Sequence, residues 1–571
     1  MASSTTYSNS SFTKTEAVSH NGMVATKDKL ATEAGLEILR MGGNAVDAGV
    51  ASCLAVGVVE PESSGVGGGG YMVFQMGEEG GVIGFPMKGP NAGTPDMYSL
   101  SGEPSVGSFG WAGVVNDENI HGYRSIAVPG CVAGLAEAHQ RFGNLPWSEV
   151  VAPAANIARN GFSPEWFTLY KLGGLSQMLL RYAELRETFM PDNQLPYGGI
   201  EAPNILKQPN LADTLDSIAR DGANSLYRGE LTENITRDIQ SNGGILTMQD
   251  FDQYKPFYWK DGLEFKYRGK TIRVPNYACA GITSAMTLKL LNKFDLSSMQ
   301  HNSIEVLHLY ISAARMAYAD RFEYIADPEF ADVPWQGLIS DTYTERRSNE
   351  IGVNCPSQFN PGNPWIEEGR DPKFVLESSK PRPDSGTTHL TVVDGEGNAV
   401  SITNTIMSGF GSGIIPKGTG IVMNNGMMWY DPTPNRVNSI SPGKYPLNNM
   451  TPALVLGKNG VEVAVGASGG RRITNCVTSL IVKMVDFDMN PQTAIDAPRV
   501  DCSSPTTDVG PELDPSIVAG LEAKGHSIRV LGDGFTQTGF AKFASPVAIT
   551  KKGDEFRGGV DTFHAAHAEG L

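Results

Sequence analysis

"RPDSGTTHLTVVDGEGNAVSITNT", Arg382 to Thr405, decides both the fold and the chemistry of this chain. A proline-containing run without periodicity stops at Gly386, and two threonines open a segment of alternating β-favouring residues. Asp394 to Asn398 supplies a glycine-containing turn, and a second β-patterned segment follows. With that turn, Val393 faces Ala399, and counting back along both strands sets Thr387 opposite Thr405. Directly opposed residues of an antiparallel pair hold their Cβ atoms about 4.5–5.5 Å apart, so the two hydroxyls come within hydrogen-bond reach. A slip of one residue would separate them.

A threonine hydroxyl is a weak nucleophile until a base takes its proton. If Thr387 became a new N-terminus, its own α-amine, with an ordinary pKa of about 7.7–8, would be that base. Gly386 suits the bond to be cut, because it has no side chain to obstruct attack on its carbonyl and tolerates an unusual backbone. The same Gly-Thr-Thr step also opens ordinary strands, so the segment alone leaves both readings standing. "VGASGGRRITN" adds weight to the first. After a strand, Gly469 and Gly470 lead into a helix, where successive backbone N–H groups could face an oxyanion. A plain strand-to-helix turn is the alternative.

The rest of the chain sets the frame. At 571 residues with 40% hydrophobic and 19% charged residues, it has the composition of a globular enzyme with ample core. The 66 glycines imply many tight backbone positions, and the formal charge of −17 disfavours nucleic acid or an anionic membrane as partner. A small-molecule substrate is expected. Six cysteines without CxxC spacing read as free thiols and argue against structural zinc. "HAAH" at His564 to His567 reads as a solvent-exposed tail rather than a metal site, and neither metal nor organic cofactor is expected. The Ser/Thr-rich residues 1–22 read as a disordered arm without a signal peptide, which points to the cytoplasm.

"KDKLATEAGLEILRMGGNAVDAGVASCLAVGVVEP" predicts two core helices, the second capped by Asn44. "SSGVGGGGYMVFQM" predicts a strand after a glycine run; without a following helix and Lys-Ser/Thr pair, close backbone packing is preferred over a phosphate cradle. Residues 355–386 have the composition of a linker, and the C-terminal third, including 411–434, reads as mostly β with one helix near "RRITNCVTSLIVKMVDF". Strand-rich cores flanked by helices suggest an α/β architecture of four layers, αββα.

Over most of its length the sequence resembles the γ-glutamyltransferase (γ-glutamyltranspeptidase) family of N-terminal-nucleophile (Ntn) hydrolases. The resemblance rests on "GMVATKDKLATEAGLEILRMGGNAVDAGVA", "GVGGGGYMV", "VPGCVAGLAEAHQRFG", "AYADRFEYIADPEF", "SGTTHLTVVDGEGNAVSITNT", "GIVMNNGM", "PLNNMTPALV" and "GASGGRRI", in that order. It implies a precursor that cuts itself between Gly386 and Thr387 into a large chain, 23–386, and a small chain, 387–571, which stay together as a heterodimer. It implies Thr387 as nucleophile, Thr405 as supporting hydroxyl, and Gly469 with Gly470 as oxyanion hole. It also implies substrate contacts from the loop after Asn425 and from the segment around Asn448 and Asn449.

The family's usual grip on a glutamyl group does not carry over. Pro86 stands where members carry an arginine, Met407 where they carry an asparagine, Gly426 and Trp429 where an acidic residue is expected, and Asn448 and Asn449 replace paired serines. A buried substrate carboxylate without a cation is costly. The pattern is closer to the acylase-like branch of the superfamily, with Lys88 and Arg124 as candidates for holding a different anionic acyl group. A true γ-glutamyl hydrolase or transpeptidase and a silent scaffold of the same fold remain the alternatives.

Overall fold

The computed structural model describes residues 13–104, 111–196, 205–373, 386–532 and 543–571. Two antiparallel sheets of seven strands each form its centre. The first runs in the order His567–Gly570, Gly22–Thr26, Thr388–Asp394, Ala399–Thr405, Gly69–Met76, Glu79–Phe85 and Phe257–Lys260. The second runs Ala17–Ser19, Glu555–Val560, Ser545–Lys552, Gly460–Ser468, Ala453–Gly457, Lys270–Val274 and Leu263–Tyr267.

The two-residue period of the strands sorts their side chains between layers. Val392 and Val400 join Leu36, Val50 and Val151 in a core between the first sheet and its helices, while Val393 and Ala399 meet Ala464, Val547 and Ile549 between the sheets. A third core packs Val455, Val463 and Val465 under the helices Gly281–Leu291, Ile304–Tyr324 and Arg472–Asp486. The order is therefore helix, sheet, sheet, helix, as the sequence pattern predicts. The helix Ala45–Val59 is buried along its whole length, and Asn44 caps it by accepting from Val46 and Asp47 while Asp47 reciprocates. The glycine run lies against the strand that ends in Thr405: a Cβ at Gly68 would overlap the Thr405 carbonyl oxygen.

Four expectations need correction. Residues 13–22 of the expected arm are seated, with Ala17–Ser19 pairing onto Phe556–Gly558; residues 1–12 lie outside the described part. The expected linker contains a helical turn, Trp365–Glu368, whose Trp365 is buried, and residues 374–385 again lie outside the described part. Residues 406–452 form buried irregular chain rather than strands, apart from a 3₁₀ turn at Gly426–Trp429. Side chains do there what a ladder would do: Asn424 donates to the Gly67 and Ala127 carbonyls and accepts from Ala127 and Gly426. Lastly, the C-terminal third holds the helices Pro491–Asp496 and Pro515–Ala523 besides Arg472–Asp486. Proline at the first turn starts both, a signal easily taken for a loop.

Candidate active site

The register of the decisive hairpin is the one counted from sequence. Val393 pairs with Ala399 and Thr388 with Asn404, which brings Thr387 to Thr405. Their hydroxyl oxygens lie 3.3 Å apart. Both reach the same acceptor, the Gly386 carbonyl oxygen, at 2.5 Å from Thr387 Oγ1 and 2.6 Å from Thr405 Oγ1. The Met407 N–H donates to Thr405 Oγ1 at 2.8 Å, so the Thr405 proton is directed onto that carbonyl. Gly386 has φ 141°, and a Cβ there would overlap the Met407 carbonyl. Met407, which packs against Gly386, itself sits at φ 88°, unusual for a bulky residue.

Beside Thr387 is a cavity of about 30 Å³, room for a water and little more. Lys27, Glu60, Ser63, Phe167, Lys171, Gly386, Ser468, Gly469, Arg472, Phe543, Ser545 and His564 line it with Thr387. Gly469 and Gly470 both adopt positive φ, 132° and 62°, immediately before the 15-residue helix Arg472–Asp486. The cavity thus opens onto a helix N-terminus, where anions are favoured.

The charges around it are deeply buried. Lys27 is 1% exposed and donates to Ser545 Oγ. Burial pushes its ammonium down to about 8, against the pull of Glu60 and Asp561. Burial likewise pushes the Glu60 carboxyl up to about 8 against Lys27, and Thr388 Oγ1 donates to Glu60 at 3.1 Å. His389, between the sheets beside Thr403 at 2.8 Å, is held neutral at about 3 by burial and by Lys27. His564 is driven to about 3 by the same two causes, and its Nδ1 lies 2.7 Å from Asp561.

Sequence reasoning missed Lys27, Glu60, Lys171, Ser545 and His564 as neighbours of Thr387. His564 had been read as part of an exposed tail, yet its side chain is 12% exposed and faces the cavity, because His567–Gly570 pairs with Gly22–Thr26 and pulls the C-terminus into the first sheet. All six cysteines are free, five of them buried. Among the described residues no His/Cys/Asp/Glu group is arranged to hold a metal, and no helix is long and apolar enough to cross a membrane.

A family model described as gamma-glutamyltranspeptidase matches residues 31–571. The chain belongs to the γ-glutamyltranspeptidase family. It is 31% identical over 530 residues to the glutathione hydrolase proenzyme of Escherichia coli K12, covering 89% of this chain and 86% of that protein. It is 32% identical over 519 residues to the acylase ACY 1 proenzyme of Pseudomonas sp. strain V22, covering 90% and 88%. Among solved structures, a cephalosporin acylase from Bacillus halodurans superposes with a TM-score of 0.86 over 100% of both chains at 26% identity. A γ-glutamyltranspeptidase from Helicobacter pylori gives 0.53 at 30% identity over 58% of this chain and 91% of that one. The protein is thus an amide-cleaving hydrolase or transpeptidase of the Ntn type with the αββα fold.

Within this γ-glutamyltranspeptidase-family chain, none of the seven candidate substrate contacts lines the cavity at Thr387. Asn425 braces the loop after Thr405, accepting from the Ser408 N–H and donating to the Ile120 carbonyl. Gly426 donates to Asn424, and Trp429 is buried in the 3₁₀ turn. Asn448 donates to Tyr71 and Ala278, while Asn449 accepts from the buried Arg321. Lys88 lies over the Tyr445 ring, and Arg124 pairs with Glu118 at 3.3 Å and donates to the Met97 carbonyl. Neither of these two lines the cavity at Thr387, whose cations among the described residues are Lys27, Lys171 and Arg472. Pro86 is buried and its carbonyl accepts from Tyr254 at 2.7 Å, so the place of the family's arginine is filled by sealed backbone.

Proposed function

We propose that this chain cuts itself between Gly386 and Thr387, and that the freed Thr387 then cleaves amides through an acyl-enzyme whose acyl group is not γ-glutamyl. The observation that carries the reading is the convergence of two threonine hydroxyls on the Gly386 carbonyl oxygen. The hydrogen bond from Thr405 polarises that carbonyl, and the Thr387 hydroxyl is adjacent to its carbon. Attack forms the new C–O bond and breaks the C–N bond, the hydroxyl proton ending on the departing nitrogen; water then opens the ester and leaves Thr387 with a free α-amine. In the mature enzyme that amine takes the hydroxyl proton as Thr387 attacks a substrate amide. Gly469 and Gly470 face the oxyanion, and water or an amine resolves the acyl-enzyme. Chains 23–386 and 387–571 remain one heterodimeric unit, since each contributes strands to both sheets.

Incubating the protein with a panel of acyl amides and locating the trapped acyl group by mass spectrometry tests the reading, which expects it on Thr387. The second reading, a γ-glutamyl hydrolase or transpeptidase with a rebuilt carboxylate site, is favoured by the 31% identity to proteins named glutathione hydrolase. A clear preference for a γ-glutamyl anilide over acyl anilides without the α-amino acid group would establish it in place of the first. An uncut, inactive protein would leave the scaffold alternative.

A further inference from the structure

Lys27 is a lysine withdrawn from water with no carboxylate within ion-pair distance among the described residues; its amine meets the Ser545 hydroxyl. It reaches the cavity from the end of the strand Gly22–Thr26, and Thr387 reaches the same cavity from the start of the neighbouring strand. The titratable groups facing it come from several elements. Glu60 follows the helix Ala45–Val59, Lys171 lies on Trp166–Gly174, and Asp561 and His564 lie in the turn after Glu555–Val560. Lys14 approaches through its bonds to the His564 and Ala566 carbonyls, His389 lies on the nucleophile's own strand, and Arg472 shares the cavity wall. Both acids pull on the lysine from a distance, but burial pushes the Glu60 carboxyl up towards its neutral form, and Asp561 is also engaged by Arg499 at 3.3 Å and by His564 at 2.7 Å.

Resting on the reading of Thr387 as the N-terminal nucleophile, we propose that the buried Lys27 ammonium, enclosed in the same small cavity, keeps the freed α-amine of Thr387 unprotonated and ready to act as base. Cations gathered around about 30 Å³ disfavour one another's charge. The α-amine starts from an ordinary value of about 7.7–8 against about 10.4 for lysine, and on Thr387, itself 8% exposed, it meets the same burial that already takes Lys27 down to about 8. The α-amine therefore yields its proton first, and Lys27 serves as a tuning residue that acts through Thr387.

The test needs no knowledge of the substrate. Sodium periodate oxidises an N-terminal threonine only through its neutral amine, so its rate of attack on residue 387, read from the mass of the small chain, titrates that amine. The wild-type midpoint is expected below the ordinary α-amine range, with Lys27→Met raising it by roughly one pH unit and Lys27→Arg keeping it low. An unmoved midpoint in Lys27→Met overturns the proposal. Should Lys27→Met stay uncut, Lys27→Arg against wild type decides: a midpoint at or below wild type supports the role of charge, and a higher one overturns it. A wild-type protein with no periodate-sensitive terminus at 387 sinks the reading of Thr387 instead.

Discussion

The hairpin Thr388–Thr405 and the buried irregular chain that follows it, residues 406–452, do equally important work by opposite means. In the hairpin, backbone hydrogen bonds fix the register, so two threonines 18 residues apart must meet. In residues 406–452, position depends on individual side chains such as Asn424 and Asn425, whose partners come from residues 67, 120 and 127. The comparison teaches that the proposed reaction centre is set by topology, whereas the chain that follows it is set by contacts remote in sequence.

The sharpest way to break this contrast is at the hairpin. Thr387→Ala is expected to leave one uncut band on a denaturing gel and to lower amide turnover by ~10⁴-fold or more, the scale of losing a nucleophile. Gly386→Ala comes next, since its methyl would overlap Met407 and the residue would need φ 141°. Self-cleavage should fall by roughly 10²-fold or more in a time course of fresh precursor while the fold, read by circular dichroism, persists. Thr405→Val removes the hydrogen bond to the Gly386 carbonyl and should slow the cut by about 10²–10³-fold, the usual effect of losing one oxyanion donor.

The irregular region predicts a different signature. Asn425→Ala leaves the Ser408 N–H and the Ile120 carbonyl without their partner and should cost about 1–3 kcal/mol in thermal unfolding, with precursor cleavage slowed far less than by Thr405→Val.

How much could be read from sequence follows the same division. Thr387, Thr405 and the turn Asp394–Asn398 were legible because a β-hairpin converts counting into distance. Asn44 was legible because a cap is local. Lys27, Glu60, Lys171 and His564 were not, because each lies in a different segment with no spacing that links it to Thr387, and only the fold brings them to one cavity. The strand His567–Gly570, which turns His564 inward, is 4 residues long with no alternation to reveal it. Lys88 and Arg124 lie outside that cavity for the complementary reason: a ring or a carboxylate near in space engages each.

A smaller effect concerns pH. His389 and His564 are each held at about 3 in the fold by burial, against about 6.5 when unfolded. Between those values the unfolded chain binds the proton and the fold does not, so each contribution is complete above about 6.5 and is lost as pH falls towards 3. Glu60, raised to about 8, has the opposite sign, its contribution falling as pH rises from about 4.5 towards 8. His389→Gln should therefore flatten the stability–pH slope below 6.5 by about 1.4 kcal/mol per pH unit in denaturant titrations, whatever its effect on absolute stability.

Intact mass of the purified, active protein tests the central claim most directly. Two polypeptides, the smaller beginning at Thr387, are the predicted result. One continuous chain that hydrolyses amides at full rate would contradict it.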